Sequence, residues 1–356
     1  MLSILDKYIG LTVLKTSLMS LAVLTGLSSL IRFVEQLKAV GRGNYDTLDA
    51  ALFVFYSLPR DVELFFPMAA LLGGLIGVGM LASNSELVVM LAAGRSRLNI
   101  IAAVMKVAII MMVAVMAIGE WVAPPMESKG RAIRSQEISG GSLISAQQGV
   151  WAKDGSDFIN IGEVEDTGRL NNVIIYDFDD NRELQKATYA QTALFTNGAW
   201  RMQDVVITEL SASRVSSTRK NSVQWQSTLT PDKLGVVTIK PESLSVSGLL
   251  DYLNYLELNQ QSAKRYELAL WRKLLAPVTV AVMLLVALSF IFGPLRSTTM
   301  GARILMGGIT GFGFHVSNEI FGPLAQVYQV PAFLGALLPS IVFAALAVYF
   351  MQKKAG

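Results

Sequence analysis

Residues 29–43, SLIRFVEQLKAVGRG, place three cations directly after an apolar run: Arg32, Lys38 and Arg42. Cations at the boundary of a bilayer form charge-assisted hydrogen bonds with phosphate groups. The ordinary alternative is that these long side chains snorkel to the interface and bind nothing specific. The stretch is therefore a candidate anion site, and its interpretation depends on the side of the membrane that it faces.

A second candidate is the pair His315 and Glu319, because an i,i+4 spacing brings two side chains together on one helix face. Ionisable residues inside membrane helices serve as proton relays in some transporters. A hydrogen-bonded pair near the outer interface is the alternative that we favour. The chain has one histidine and no cysteine. Thiolate chemistry is therefore excluded, and neither a Ser/His/Asp set nor a metal site is expected.

Residues 83–97, SNSELVVMLAAGRSR, predict a short helix over about residues 84–94. Ser83 and Glu86 have the spacing of a capping box, with Asn84 and Ser85 as competing caps. Gly94 is well placed to end the helix.

The apolar residues of this short helix fall on one face, at Leu87, Met90 and Leu91. One interpretation is an amphipathic helix on the lipid headgroups. Such a helix usually carries lysine or arginine on its polar face, whereas this one carries Glu86. The pattern therefore favours insertion into a groove of another protein that offers a basic residue.

Composition indicates a membrane protein with one polar domain. The 356 residues are 52% hydrophobic and 16% charged, whereas about a quarter of the residues of soluble domains are charged. A membrane-spanning helix needs about 20 mostly apolar residues, and the chain has runs for six. They predict three helices within residues 1–125, a polar domain at 126–262 and three helices within 263–356. Pro323 and Pro331 are expected to separate the last two helices.

Cations in the short loops predict the orientation of the chain. With both termini on the cytoplasmic side, every inside segment is basic and the polar domain lies outside. Residues 29–43 then also lie outside, although their three cations would ordinarily favour the cytoplasmic side. The inside cations are Lys7, Lys15, Arg95, Arg97, Arg296, Arg303, Lys353 and Lys354. The net charge of +3 gives no reason to expect a nucleic-acid partner.

The sequence pattern of the polar domain predicts many short β-strands. Alternating runs surround Asp154-Gly155, which is a hairpin signal, and further turns are expected at residues 179–181 and at Asn197-Gly198. Strands of this kind predict a sandwich, roll or barrel. The aromatic residues are expected to pack in the core or along an edge, with a carbohydrate or lipid platform as the alternative. They are Tyr176, Phe178, Phe195, Trp200 and Trp225.

Six segments, spread in order over nearly the whole chain, carry a family resemblance. They are SLPRDVELFFPMAALLGGLIGVGML, SELVVMLAAG, AIGEWVAP, GGSLISAQQGVWAKDG, TLTPDKLGVV and ALSFIFGPLRS. They resemble the LptF/LptG permeases of Gram-negative lipopolysaccharide export, and the LptG branch of that family in particular. The resemblance implies six transmembrane helices in the inner membrane and an inserted all-β, jellyroll-like domain in the periplasm.

The resemblance also implies a function and partners. Such a chain is the permease subunit of an ABC transporter that extracts lipopolysaccharide from the outer leaflet of the inner membrane. It pairs with LptF, is driven by two copies of the cytoplasmic ATPase LptB, and passes the lipid to LptC in a periplasmic bridge toward the outer membrane. ATP is bound and hydrolysed by LptB, so this chain is expected to be non-catalytic and to bind no cofactor. The chain indeed contains no G-x-x-x-x-G-K-[ST] motif.

Individual residues acquire roles from the same resemblance. Arg32 and Lys38 occupy positions of basic residues that contact the lipopolysaccharide phosphates, and Arg131 and Arg134 are further contacts. Ala39 stands where a second lysine is expected, with Arg42 as a substitute. The helix near residues 86–94 resembles the coupling helix of the family. Glu86 is then expected to pair with an arginine of the ATPase, and Leu87, Met90 and Leu91 form the packing face.

The acyl chains require an apolar cavity, for which the candidate lining residues are Phe65, Phe66, Leu75, Phe312 and Phe314. Glycines at small-xxx-small spacing, including Gly73 and Gly307, predict close helix packing rather than phosphate binding. Two other functions stay open. One is a proton-coupled lipid transporter that uses His315 and Glu319, and the other is a membrane anchor that only positions the β domain.

Overall fold

A computed structural model describes residues 4–352, apart from 140–141, 166–167, 180–182, 212–213, 232, 235–239 and 293–297. The predicted turn at residues 179–181 therefore lies largely outside the described residues. The same holds for three of the cations used to predict orientation, namely Arg296, Lys353 and Lys354.

Helices flank a block of strands. The first helices are α1 (Ile4–Leu37), α2 (Thr47–Ser83), α3 (Glu86–Ala92) and α4 (Arg97–Ala117), and a π-helical turn at Ile118–Val122 joins α4 to α5 (Ala123–Ser139). After the strands, a 3-10 turn at Pro241–Ser243 precedes α6 (Val246–Leu258), α7 (Lys264–Leu274), α8 (Ala276–Phe292), α9 (Met300–Val327) and α10 (Ala332–Gln352).

Several of these helices are long and apolar enough to cross a membrane. Within the described residues, four runs meet that requirement: Ile4–Leu37, Thr47–Ser83, Arg97–Ile138 and Ala332–Gln352. The pair α7 and α8, bent by 54°, adds a fifth if it is one span. α9 has 28 residues and includes Arg303 and Glu319. The helical membrane architecture agrees with the sequence, while the count of three plus three stays a prediction.

The junction between α9 and α10 differs in part from the expectation. α9 continues through Pro323, so only Pro331 marks the break. The helix ends instead where Gln329 takes a positive φ of 55° and the N–H of Val330 bonds to the carbonyl of Ala325 at 2.8 Å. Prolines are tolerated inside membrane helices where neighbouring groups satisfy the freed carbonyl, so a proline alone does not fix a helix end.

The chain divides into two compact units. The first comprises Met1–Arg32, Ser57–Met126 and Lys264–Gly356, and the second comprises Phe33–Tyr56 and Glu127–Ala263. The second unit thus includes Phe33–Tyr56. The sequence pattern had placed this stretch with the first three membrane helices, within residues 1–125. It also contains most of α5 and all of α6, whereas residues 126–262 were predicted to be β-rich.

Small residues bring the helices of the first unit close together. Gly73 on α2 faces Ser17 on α1 so closely that a Cβ atom would overlap it, and Gly307 on α9 faces Leu75 in the same way. The hydroxyl of Thr16 donates to the carbonyl of Gly73 at 2.7 Å. The glycine spacing therefore predicted close packing correctly, and this packing lies inside the subunit.

The second unit contains a six-stranded antiparallel sheet in which each strand pairs with the next. The hairpin turns at Asp154-Gly155 and Asn197-Gly198 are confirmed, since Gly155, Asn197 and Gly198 have positive φ. The described strands pair in consecutive order, as a meander. This order does not itself establish a jellyroll, so the jellyroll-like topology stays a prediction. The strands are β1 (Ser142–Asp154), β2 (Asp157–Glu165), β3 (Arg169–Phe178), β4 (Leu184–Thr196), β5 (Ala199–Ser211) and β6 (Arg214–Trp225).

Aromatic side chains pack as the sequence predicted. Trp200 is fully buried, and its Nε1 donates to the carbonyl of Leu229 at 2.7 Å. Its ring lies 5.0 Å from that of Phe195 and 6.1 Å from that of Trp225. These contacts fix the β4–β5 hairpin against the segment after β6 and confirm the packing interpretation.

Candidate anion site and coupling helix

Arg32, in the first unit, is already paired with an acid. Its Nη2 lies 2.6 Å from Oδ1 of Asp61, and Ser28 donates to Oδ2 of Asp61 at 3.1 Å. The side chain of Asp61 is 1% exposed, whereas that of Arg32 is 30% exposed. The guanidinium therefore presents part of its surface outward while a buried carboxylate balances its charge.

Lys38 lies in the second unit, in the turn that follows α1, and it is exposed. Among the described residues no ion pair involves it. Its neighbour Ala39 points the other way and packs with Tyr45 and Ala50 in a small buried cluster. A lysine at position 39 would have to enter this cluster, so the turn presents Lys38 and Arg42 as its exposed cations.

Arg131 on α5 pairs with Glu127 one helical turn earlier, at 2.6 Å between Nη2 and Oε1. Ser243 also donates to this carboxylate, at 3.0 Å. Arg131 is 31% exposed. Like Arg32, it therefore combines a partly exposed guanidinium with an acidic partner.

Arg134, one turn further along α5, has a different environment. Its Nε donates to the amide oxygen of Gln36 at 2.9 Å, and its guanidinium lies 6.0 Å from the ring centre of Phe53. Tyr45 donates to the same amide oxygen at 3.3 Å. Burial raises the pKa of Tyr45, and the charge of Arg134 offsets part of that rise. Tyr45 thus stays a neutral donor beside the arginine.

The short helix α3 forms where the sequence predicted it, but its first turn differs. The N-cap is Ser85 with φ of 61°, and its side chain makes no capping bond. The hydroxyl of Ser83 donates backward to the carbonyl of Met80 instead, so the predicted capping box is wrong. The end is as predicted: Gly94 has φ of 87°, and it forms a Schellman motif with Arg95, whose N–H bonds to the carbonyl of Met90.

The apolar face of α3 packs inward. Leu87 and Met90 are 4% and 7% exposed and belong to the main hydrophobic core, against which Leu91 also packs. This corrects the expectation that these three side chains are free to meet a partner. The large apolar side chains that α3 exposes are Val88 and Val89.

Glu86 is held by its own chain. Its carboxylate accepts hydrogen bonds from the hydroxyl of Tyr8 at 2.8 Å and from the amide of Asn84 at 3.3 Å. Just beyond α3, Arg95 pairs with the buried Asp6 at 2.9 Å, and Lys106 pairs with the other oxygen of Asp6 at 3.0 Å. Both ends of α3 are therefore tied to the first turns of α1.

His315 and Glu319 both lie on α9. No hydrogen bond or ion pair between His315 and Glu319 occurs among the described residues, and Glu319 is exposed. The hydrogen-bonded pair favoured from the sequence is therefore not formed, and a proton relay between the two has no direct contact either.

The cavity candidates divide into two groups. Phe66, Leu75 and Phe314 are 3%, 0% and 3% exposed and form part of the core, so they are packing residues. Phe65 is partly buried against the same core, whereas Phe312 is 63% exposed on α9. Only Phe65 and Phe312 therefore keep surface with which to meet an acyl chain.

Sequence reasoning missed the partners of these residues. Asp61 and Asp6 are acids within largely apolar helices, and that rarity was a signal of function or pairing. Tyr8 carried no such signal, since its contact with Glu86 joins residues 78 positions apart.

The apolar helices, the inserted antiparallel sheet and the partly exposed cations define a membrane permease. Residues 7–353 match the family described as lipopolysaccharide export system permease LptF/LptG, and the chain belongs to that family. It is 48% identical over 354 residues to the lipopolysaccharide export system permease protein LptG of Escherichia coli (strain K12), covering 99% of this chain and 98% of that protein. Identity to the protein of the same name from Haemophilus influenzae is 45% over 356 residues, or 99% of each chain. The family resemblance seen in the sequence segments is confirmed.

Proposed function

We propose that this chain is the permease subunit of an ABC transporter that extracts lipopolysaccharide from the outer leaflet of the inner membrane and passes it to a periplasmic bridge. The match to lipopolysaccharide export permeases over nearly the full length carries this proposal. A three-plus-three arrangement of membrane helices and a jellyroll-like periplasmic domain belong to the proposal. Apolar helices that come before and after the strands in the chain support them.

The anion site would hold the phosphates of the lipid. Lys38 is exposed, and Arg32 and Arg131 are both about a third exposed. Arg134 donates to the neutral amide of Gln36, a contact that does not balance its positive charge. Charge-assisted bonds from such groups to phosphate are about twice as strong as neutral ones.

The helix α3 would receive force from LptB, of which two copies serve the complex with LptF. Its exposed Val88 and Val89, together with the carboxylate of Glu86, form a surface suited to a groove with a basic residue. LptC would be the next carrier of the lipid. ATP would be bound by LptB, and this chain would hold no cofactor.

Photocrosslinking tests the anion site. A photoreactive residue is placed in turn at positions 32, 38, 131 and 134 of the assembled complex, and Lys129, an exposed lysine of α5, provides the matched control position. We expect lipopolysaccharide adducts at the four positions, changing in amount when ATP is added, and fewer adducts at position 129. Adducts with bulk phospholipid alone would remove the anion site from the proposal.

Replacing Glu86 by Ala separates this function from the alternatives. Loss of ATPase coupling or of assembly is expected for the transporter. A proton-coupled transporter would tolerate this change but lose transport with His315→Ala, and a passive anchor would tolerate both. Because His315 and Glu319 do not contact each other, the structure gives no support to the hypothesis of a proton-coupled transporter.

A further inference from the structure

Two cations of the candidate anion site, Arg32 and Arg131, pair with an acid. The two partners differ more in exposure in the pair of Arg32 and Asp61. Asp61 is 1% exposed and Arg32 is 30% exposed, at an atom separation of 2.6 Å. Glu127, which pairs with Arg131, is 15% exposed. The buried acid therefore depends on its protein partners, while the cation also faces outward.

A buried carboxylate is stable only while a cation or several donors compensate its charge. Arg32 supplies the charge, and the hydroxyl of Ser28 supplies a further hydrogen bond at 3.1 Å. An arginine has five N–H donors, and the bond to Asp61 uses Nη2. Arg32 can therefore offer its remaining donors to an outside anion without releasing the acid.

Two anions sharing one guanidinium compete for its charge. The buried carboxylate repels a phosphate that approaches the same guanidinium, because two like charges a few ångströms apart interact strongly where the local dielectric constant is well below that of water. A phosphate that approaches Arg32 therefore gains less than it would at an isolated cation such as Lys38. For a transporter, which must release what it binds, this reduction is useful.

We propose that Asp61 is a counter-ion that competes with ligand phosphate for Arg32 and thereby keeps lipopolysaccharide affinity low enough for release. The inference rests on the proposed function, since it presumes that Arg32 meets a phosphate. Asp61 is a specificity-determining and positioning residue that acts through Arg32 and does not itself touch the ligand.

The test uses the assembled complex with LptF and LptB in lipid nanodiscs. Binding of purified lipopolysaccharide, and of the same lipid after removal of the phosphates, is measured for wild type and Asp61→Asn. We expect the variant to bind the phosphorylated lipid about three- to tenfold more tightly, the effect of one partly screened charge. Affinity for the dephosphorylated lipid stays unchanged, and release on ATP addition slows.

Four further variants make the outcome decisive. Arg32→Gln is expected to weaken binding of the phosphorylated lipid, and adding Asp61→Asn to it is expected to give no gain. Asp251→Asn, which removes an exposed acid of α6, serves as the matched control and should change neither affinity. Asp61→Ser is a second neutral variant that leaves room for water beside Arg32.

The outcomes separate the two proposals. If Arg32→Gln weakens binding but neither neutral variant at position 61 strengthens it, the counter-ion idea is overturned while the phosphate site stands. If Arg32→Gln leaves binding of the phosphorylated lipid unchanged, the phosphate role of Arg32 itself is wrong. If neither neutral variant assembles, Asp61 is a structural residue and the competition is rejected.

Discussion

The phenol of Tyr8 donates a 2.8 Å hydrogen bond to the carboxylate of Glu86, joining the first turns of α1 to the start of α3. At the other end of α3, Arg95 pairs with Asp6 on α1. A displacement of α3 must therefore either break these contacts or move the beginning of α1. The second result would carry motion from the proposed coupling helix into the helix that bears Arg32.

Removing the phenol hydroxyl tests this connection. Tyr8→Phe is expected to lower lipopolysaccharide-stimulated ATPase activity of the assembled complex about two- to fivefold, the effect of losing about one hydrogen bond. Faster amide exchange in residues 86–92 should accompany the loss, because Glu86 then keeps only the bond from Asn84. Hydrogen exchange followed by mass spectrometry measures it.

Tyr328→Phe is the matched control, since Tyr328 is a 75% exposed tyrosine at the end of α9. It should leave both activity and exchange at wild-type values. Normal ATPase activity in Tyr8→Phe, with exchange in α3 increased, would show that this bond orders the helix without transmitting force.

The two ion pairs of Asp6 are expected to stabilise the folded chain. Asp6→Asn removes the charge shared by Arg95 and Lys106 and should lower the free energy of unfolding by about 1–2 kcal/mol, since both cations can still reach water. Thermal unfolding in detergent measures the change. Combining it with Lys106→Gln should cost less than the sum of the two single changes, and strict additivity would mean that this ion pair contributes nothing.

Close packing of α1 on α2 predicts a contrast between two glycines. Gly73→Ala forces a Cβ atom into Ser17 and should destabilise the chain by about 1–3 kcal/mol. Gly308→Ala meets no atom within 4 Å and should be neutral or up to about 1 kcal/mol stabilising, because alanine is the better helix former. Equal thermal unfolding of the two variants would contradict the packing seen at Gly73.

The broad organisation was readable from sequence because it depends on local patterns. Apolar runs, the turn residues at Asn197-Gly198 and the stop at Gly94 each act within a few neighbouring residues. The helices α5 and α6 were missed because the whole polar stretch was interpreted as β-rich from the alternating runs in its middle. Pro323 was misread because its effect depends on the surrounding helices rather than on proline itself.

The electrostatic partners of the candidate site were not readable in this way. Whether Arg32 is free or paired depends on Asp61, 29 residues away, and sequence spacing does not give that contact. Likewise, a helix face that looks ready for a partner can be covered by the chain's own core, as Leu87 and Met90 are. The residue types at the site were predictable, but the charge available to a ligand was not.

The buried phenol of Tyr255 on α6 is expected to make the folded chain less stable at high pH. Its hydroxyl donates to the carbonyl of Lys153 at 2.8 Å. Burial, with a smaller effect from the charge of Asp154, raises its pKa to about 12 from 10.0. Between these values the unfolded chain has released the phenol proton and the folded chain has kept it. This residue's contribution to stability is therefore complete below pH 10 and is lost as the pH rises toward 12.

Comparison with Tyr255→Phe isolates this effect. At pH 9 the variant should be less stable than wild type by about 1 kcal/mol, because the carbonyl of Lys153 loses its donor. Thermal unfolding at pH 9, 10, 11 and 12 should then show the difference shrinking as the pH rises, since phenylalanine has no proton to release. If the gap between wild type and Tyr255→Phe stays constant up to pH 12, Tyr255 ionises equally in the folded and unfolded chains, and its burial does not couple folding to pH.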